Sequence, residues 1–391
     1  MKIIVYCQHT LGVGHFFRTV EICRSLKGQE IILVTGGPPV DVSLPAHVRQ
    51  VKLPSLQMDK DFTRLETGSG RDEVPDIRNE RKALLFSLFQ NERPDIFLVE
   101  LYPFGRKKFR FELDPILEGI HNHLFGRCKV VCSLRDILVE KDSWKKYERR
   151  VVHTVNTWFD AVLVHSDPDI IRLDETFPNI QALTVPVMYT GFVCQPPPRG
   201  ARRRLRDKLQ VGNHQKLIVA SAGGGKVGAD LLNAVLRAHR LLDQTPPPLL
   251  YVFTGPFLDP DDFRCLKEKA SSTAVVARFT TEFPAYLAAA DLSISMAGYN
   301  TAMNILAARV PALFYPFHVN REQRMRAERL ARLGQYRVVN ADDLEPLGLS
   351  RIMAGTLNAA PAEPVLPNLD GARNTAVYLQ QFAATAAEKK P

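Results

Sequence analysis

Several absences narrow what this 391-residue chain can be. No apolar run approaches the length of a membrane span, and the opening stretch Met1–Cys7 is too short for a signal segment before a glycine turn follows. A cytoplasmic protein is expected. Cysteine is scarce, six in all, and none stands in Cys-x-x-Cys spacing; Cys128 and Cys132 share one apolar strand, so buried free thiols are expected in place of a metal site. There is no fixed-period repeat, which excludes solenoids. The basic cluster Arg199, Arg202, Arg203, Arg204, Arg206 and Lys208 has no interleaved aromatics, which argues against a single-strand nucleic-acid groove and leaves no nucleic-acid partner expected. The cluster reads as a solvated helix start, or else as a peripheral contact with an acidic membrane surface.

Two nucleotide-binding signatures are also incomplete. Gly223, Gly225 and Gly228 satisfy the dinucleotide spacing, but the next strand, Leu249 to Thr254, ends in Thr254-Gly255 with no acid to hold a ribose. For a P-loop, Ala220 stands where the first glycine belongs and Val227 where a Ser or Thr should meet magnesium. A dehydrogenase is therefore disfavoured, as is an ATPase of the usual kind.

What is present is a soluble composition, 45% hydrophobic and 24% charged, with a net charge of +9 that favours an anionic ligand. The length implies two domains. Strands alternate with helices from Lys2 onward: strands over 2–7, 30–35, 95–100, 129–133 and 161–165, with helices over 15–26, 79–92, 113–124 and 144–157. A polar insertion from Gln57 to Arg78, centred on Gly68–Arg71, breaks the alternation and reads as a long loop. Gln195–Gly200, rich in proline, is the best domain boundary. The expected organisation is an N-terminal acceptor-binding domain over 1–194, a linker over 195–200, and a second domain over 201–391 that includes a closing helix near 372–384. Both are read as doubly wound α/β domains facing one another across a cleft.

The second half contains two anion-ready turns. Ala222–Asp230 joins the apolar strand 216–220 to a helix, and Ala297-Gly298 joins a strand ending at Ser295 to a helix opened by Asn300 and Thr301. Unpaired N–H groups at such helix starts, backed by the dipole, can hold phosphates, and Lys226 would face them; the alternative is that such turns need glycine anyway. In the first half, His15 follows Gly14 at a helix start, where the helix field favours a neutral, proton-accepting imidazole. It reads as a general base or a structural histidine. Arg18 lies one turn on, able to hold a phosphate or carboxylate. Glu100 and the pair Arg135-Asp136 end strands, as bases, hydroxyl-orienting groups or ion-pair partners. Glu322 and Gln323 open a helix from which they can reach sugar hydroxyls, unless that helix is a solvent-facing arginine-rich one.

Gly12-Val13-Gly14-His15-x-x-Arg18, Gly223–Gly225, Gly298–Thr301 with Pro311-Ala312, and Arg321–Leu330 together resemble a bacterial set of predicted glycosyltransferases related to glycosyltransferase family 28. These share the GT-B fold with the N-acetylglucosaminyltransferase of peptidoglycan synthesis. The resemblance implies an inverting, metal-independent transfer of a sugar from a nucleoside diphosphate donor, with no cofactor and an unidentified acceptor. It implies that Gly224 and Gly225 neighbour the diphosphate, Phe279 to Phe283 (both phenylalanines included) the base, Asn300 and Thr301 the phosphates, and Glu322 and Gln323 the sugar. His15 would deprotonate the acceptor, and Glu100 is the second catalytic candidate. Gly14, Arg18, Lys226 and Gly298 complete the donor set, and Arg135 and Asp136 lie on the acceptor side. One position departs. Family members usually carry Glu four residues after the equivalent of Asn300, gripping the ribose, and this chain has Asn304. Two further readings remain: a nucleotide-sugar hydrolase, which the Gly-x-Gly-His-x-x-Arg segment also resembles, and a silent nucleotide-sugar binder.

Overall fold

The computed structural model describes residues 1–391 except 10–12, 39, 41, 59–63, 68–72, 140–142, 318–320, 361–364, 366 and 389–391; at 58 and 384–388 only the backbone is described. The chain divides into two units, the first made of 1–193 with 370–391 and the second of 194–369.

In the first unit, β1 (Lys2–Tyr6) leads to α1 (Gly14–Ser25), β2 (Glu30–Thr35) and β3 (Val48–Lys52). A small antiparallel hairpin, β4 (Leu56–Met58) with β5 (Leu65–Thr67), lies within the stretch expected to be loop. Next come α2 (Val74–Glu92), β6 (Ile96–Glu100), α3 (Arg110–His121), β7 (Lys129–Arg135), α4 (Trp144–Trp158), β8 (Ala161–His165) and β9 (Val187–Tyr189). Helix α2 opens five residues earlier than the periodicity indicates, with a proline in its first turn, where a missing N–H costs nothing. The seven strands form a parallel sheet in the order β3-β2-β1-β6-β7-β8-β9. β6 and β8 are buried along their whole length and β1 at every residue but Lys2, as sheets covered on both faces require.

The second unit runs α5 (Ala201–Lys208), β10 (Leu217–Ser221), α6 (Ala229–His239), β11 (Leu249–Phe253), α7 (Pro260–Glu268), β12 (Ala274–Ala277), α8 (Phe283–Ala289), β13 (Leu292–Ser295), α9 (Tyr299–Ala308), β14 (Ala312–Phe314), α10 (Arg321–Ala331), β15 (Tyr336–Val338) and α11 (Pro346–Asn358). Its six parallel strands are ordered β12-β11-β10-β13-β14-β15, the doubly wound order of a dinucleotide fold. In each sheet the winding reverses beside the first strand, between β1 and β6 and between β10 and β13. Ligands of such sheets bind at the carboxyl ends of the strands flanking that reversal.

The closing helix, α12 (Gly371–Glu388), corrects the sequence expectation. It belongs to the first unit, where Ala376 and Leu379 join the cluster formed by Phe16, Val20 and Cys23 of α1 with the strand residues Ile3 and Val5. An isolated bridge pairs Val193 with Asp370 where the chain leaves and rejoins this unit.

One buried ion pair anchors the other face of the first sheet. Arg81 of α2 makes a bidentate bond to Glu112 of α3 (2.8 and 2.6 Å) and donates to the carbonyls of Gly36 and Pro54 and to Gln8. A Cβ at Gly36 would lie 2.1 Å from the guanidinium, so the glycine is required there. All the donors of this arginine are matched, as burial of a charge demands.

Candidate active site

At the reversal of the first sheet, α1 begins immediately before His15, and β6 ends on Glu100. The two meet: His15 Nδ1 lies 2.5 Å from Glu100 Oε1, and Arg18 Nη2 donates to the same oxygen at 2.6 Å. Arg18 Nη2 also lies 3.2 Å from His15 Nδ1. The tautomer follows. Glu100 is ionised and lies closer to Nδ1 than Arg18 does, so the geometry favours a proton on Nδ1 donated to Glu100, and the 3.2 Å approach of Arg18 is then not a hydrogen bond. Nε2, on the far side of the ring, is left as a proton acceptor. His15 keeps 21% of its side chain exposed, whereas Glu100 keeps 1%.

Burial pushes the His15 imidazole down to about 3, with Arg106 and Arg18 pushing the same way and Glu100 opposing them. The imidazole is thus held neutral, as the helix start suggested, but desolvation is the main cause and not the helix field. Burial would raise the Glu100 carboxyl, yet His15, Arg106 and Arg18 together hold it well below the usual carboxylate range. The pair is thus a neutral histidine oriented by an ionised carboxylate, the arrangement that makes imidazole a general base.

Other first-unit candidates lie at the carboxyl ends of the neighbouring strands β7 and β8. Arg135, half-buried, and Asp136, fully buried, lie at the end of β7, and Asp136 Oδ1 accepts from the N–H of Ile137 at 2.8 Å. His165, at the end of β8, was not singled out from the sequence. Its Nε2 meets Ser133 Oγ at 2.7 Å and its Nδ1 meets Thr190 Oγ1 at 2.9 Å, and burial lowers it to about 3. With both ring nitrogens engaged, it serves the sheet edge.

The second sheet reverses around a different construction. The glycine run leaves β10 and enters α6 through Gly228, whose φ of 109° only glycine adopts easily. Gly225, with φ of 86°, lies against the next loop: an added Cβ would fall 2.4 Å from Thr254 O. Gly224 and Gly298 are open, with only Phe257 within 4 Å of a Cβ at the first and nothing at the second. The α9 start lies beside the run, because a Cβ on Gly223 would come within 3.7 Å of Thr301 Oγ1. Two helix starts thus converge on one exposed glycine surface, and Lys226 is exposed on it. Asn300 and Thr301 are half-buried in the first turn of α9.

Arg326 locks this turn in place, a role hidden in sequence among neighbouring arginines. It is fully buried, donates to Ala297 O at 2.8 Å and to Glu322 Oε1 at 3.3 Å, and lies over the Tyr299 ring. Glu322 is buried with it, and Gln323 Oε1 accepts from Phe317 N at 3.2 Å, so α10 is no uniformly solvent-facing helix. Phe279 is 49% exposed, and Phe283 stands edge-on to Phe253. Asn304 Oδ1 accepts from the backbone N–H of Gln195 at 3.0 Å, fixing the proline-rich segment where it enters the second unit. The basic cluster on α5 is partly structural too. Arg202 and Arg206 share Asp291 and cover the carbonyls that end α8.

The chain contains three Asp-x-Asp pairs; Asp59 and Asp61 lie outside the described residues, and the other two serve local backbone: Asp167 Oδ1 accepts from Asp169 N, and Asp259 Oδ1 from Asp261 N at the start of α7. Among the described residues no group of three or more His, Cys, Asp or Glu side chains could hold a metal ion, and no helix is long and apolar enough to cross a membrane.

Comparison with known proteins agrees with this geometry. Residues 219–362 match the glycosyltransferase family 28 C-terminal domain. A relative from Glaesserella parasuis serovar 5 (strain SH0165), named UDP-N-acetylglucosamine–N-acetylmuramyl-(pentapeptide) pyrophosphoryl-undecaprenol N-acetylglucosamine transferase, is 26% identical over 232 residues, 58% of this chain. The match spans 59% of that relative's length. Among solved structures, Acinetobacter baumannii MurG superposes with a TM-score of 0.54 at 15% identity, covering 99% of this chain and 100% of that one. The calicheamicin glycosyltransferase CalG4 superposes with a TM-score of 0.58 at 15% identity, covering 99% of this chain and 96% of that one. The chain therefore has the GT-B fold of these glycosyltransferases and is related to glycosyltransferase family 28, whose C-terminal domain lies within its second unit.

Proposed function

We propose that this chain is a glycosyltransferase that moves a sugar from a UDP-linked donor to an acceptor hydroxyl, with inversion and without a metal ion. The observation that carries the reading is the 2.5 Å contact between His15 Nδ1 and Glu100, which leaves Nε2 as a base. In this reading Nε2 takes the proton of the acceptor hydroxyl as its oxygen attacks the anomeric carbon on the face opposite the nucleotide. The bond from that carbon to the β-phosphate oxygen breaks, and its electron pair leaves with the diphosphate. One displacement inverts the centre. The leaving charge falls to the amides of the glycine run and the α9 start, with Lys226, Asn300 and Thr301 beside them, a main-chain substitute for a cation. Arg18 and Gly14 support the base, Phe279 and Phe283 flank the nucleobase, and Glu322 and Gln323 serve the sugar once their present partners yield. Arg135 and Asp136 contribute on the acceptor side. The named transferase relative supports UDP as the nucleotide. The cytoplasm, where activated sugars are available, is the proposed place of work, and any contact with acidic lipid falls to the α5 arginines not engaged with Asp291.

A donor screen tests the reading. The protein is incubated with UDP-, dTDP- and GDP-sugars, with and without cell extract, and nucleotide release is followed. Release that requires extract and persists in chelator is the expected result. Release in buffer alone would mean a hydrolase, binding without release a silent binder, and strict dependence on manganese would overturn the metal-free mechanism.

A further inference from the structure

One cation at the first site has no use in the reaction as described. The loop that leaves β6 carries two non-glycine residues in the left-handed region, Leu101 with φ of 67° and Arg106 with φ of 56°. Such backbone is uncommon outside glycine and persists where its surroundings enforce it. Here Leu101 N donates to Ser133 O (2.8 Å), Gly105 N to Leu101 O (2.7 Å), Phe109 N to Arg106 O (2.8 Å), and Tyr147 Oη to Phe104 O (2.8 Å). The loop so pinned aims Arg106 at the His15–Glu100 pair.

Among the described residues the guanidinium makes no hydrogen bond. Its Nε and Nη2 are buried and unpartnered, and its ion pair with Glu100 Oε2 is 3.6 Å long, beyond hydrogen-bond distance. The side chain keeps 14% exposure, so an approach from solvent remains open. Arg81, by contrast, matches every donor it buries. Nor does Glu100 need Arg106 for neutrality, since Arg18 already donates to it at 2.6 Å. Two arginines against one carboxylate and a neutral imidazole leave one positive charge in excess. A buried guanidinium with idle donors is costly, and a carboxylate or phosphate oxygen is the group its fork fits.

We propose that Arg106 binds an anionic group, a carboxylate or phosphate, carried by the acceptor whose hydroxyl His15 deprotonates. The proposal rests on the reading of His15 as acceptor base and narrows the acceptor class to molecules bearing that group close to the reacting hydroxyl. A charged anchor and a base on adjacent loops orient the hydroxyl toward Nε2, which is how positioning lowers a barrier.

The test uses the full chain with inorganic phosphate and acetate as probes and the His15 ring resonances, in histidine-labelled protein, as a local reporter. Either anion should shift those resonances saturably, phosphate the more strongly for a phosphoester acceptor and acetate for a carboxylate one. Arg106→Gln should weaken the response at least tenfold. Arg106→Gly should do the same with the loop intact, because glycine fits the left-handed backbone, and Arg106→Lys should restore part of it. Calorimetric affinity for UDP should be unchanged in all three. Wild-type phosphate response in both Arg106→Gln and Arg106→Gly, no shift at His15 in the wild type, or loss of UDP affinity would overturn the proposal. Failure of the base reading shows separately, as turnover retained by His15→Ala.

Discussion

The two sheets reverse in the same way and are furnished in opposite ways. Between β1 and β6 the reversal is crowded with side chains: an imidazole, a carboxylate and two arginines, most of them buried. Between β10 and β13 it is nearly bare, a glycine run beside a helix start, with open space in front of Gly224 and Gly298. The winding decides where a ligand can sit, and the residues decide what happens there. A site that moves a proton needs a titratable group held in one tautomer. A site that only holds a diphosphate needs main-chain donors and room.

The contrast can be broken most sharply at the base. His15→Ala is expected to lower kcat/KM for transfer by about 10²–10⁴ while the affinity for UDP, measured by calorimetry, stays within twofold. Glu100→Gln should fall about as far despite its shape, because an amide can donate to Nδ1 and force the proton onto Nε2; comparable tautomer errors cost on the order of 10⁴ in kcat. The glycine surface should divide into structural and ligand-facing members. Gly225→Ala should destabilise the second unit by about 1–3 kcal/mol in denaturant melts, since its Cβ would lie 2.4 Å from a carbonyl oxygen. Gly298→Ala should leave the melt unchanged and weaken UDP binding, which calorimetry resolves.

Acid sensitivity sharpens the same comparison. His15 is lowered from its ordinary range to about 3, so the unfolded chain takes up its proton near pH 6.5 while the folded chain does not. Stability is therefore lost as pH falls from about 6.5 toward 3, and Glu100, also lowered, adds to the loss below its ordinary range. His15→Gln should flatten the stability profile by close to one proton between pH 6 and 5. The smallest effect is expected at Asn304. Asn304→Ala removes the acceptor for Gln195 N and should cost the second unit about 1 kcal/mol.

How far the sequence could be read follows from these same elements. The strands β1, β2, β6, β7, β8, β10 and β11 were legible because central strands of covered parallel sheets are largely continuous apolar runs, and β13, Leu-Ser-Ile-Ser, as a short strand before a glycine turn. β3 was not, because at the sheet edge its Val-Arg-Gln-Val-Lys is half exposed, and β14 and β15 are only three residues each. His15 and Glu100 could be named separately as residues at strand ends. Their contact could not, since 85 residues separate them and only the strand order brings β6 beside β1. Arg326 stood in a run of arginines that reads as a solvated face, and nothing in its local pattern distinguishes the one that is fully buried. Arg106 carried no signal at all, because its importance comes from backbone in a region that side-chain chemistry does not announce. Periodicity marks the closing helix as a helix but not the unit it joins, because periodicity reports a face and not what covers it.

That helix makes the fold asymmetric in its upkeep. The second unit, 194–369, is one uninterrupted stretch of chain, whereas the first is completed only when 370–391 returns to it. Leu379 and Ala376 cover the helix on whose first turn His15 stands. Nicking α12 should therefore loosen the helix that carries His15 while leaving the glycine surface of the second unit intact, so the loss should be felt at the imidazole before it is felt at the glycine run.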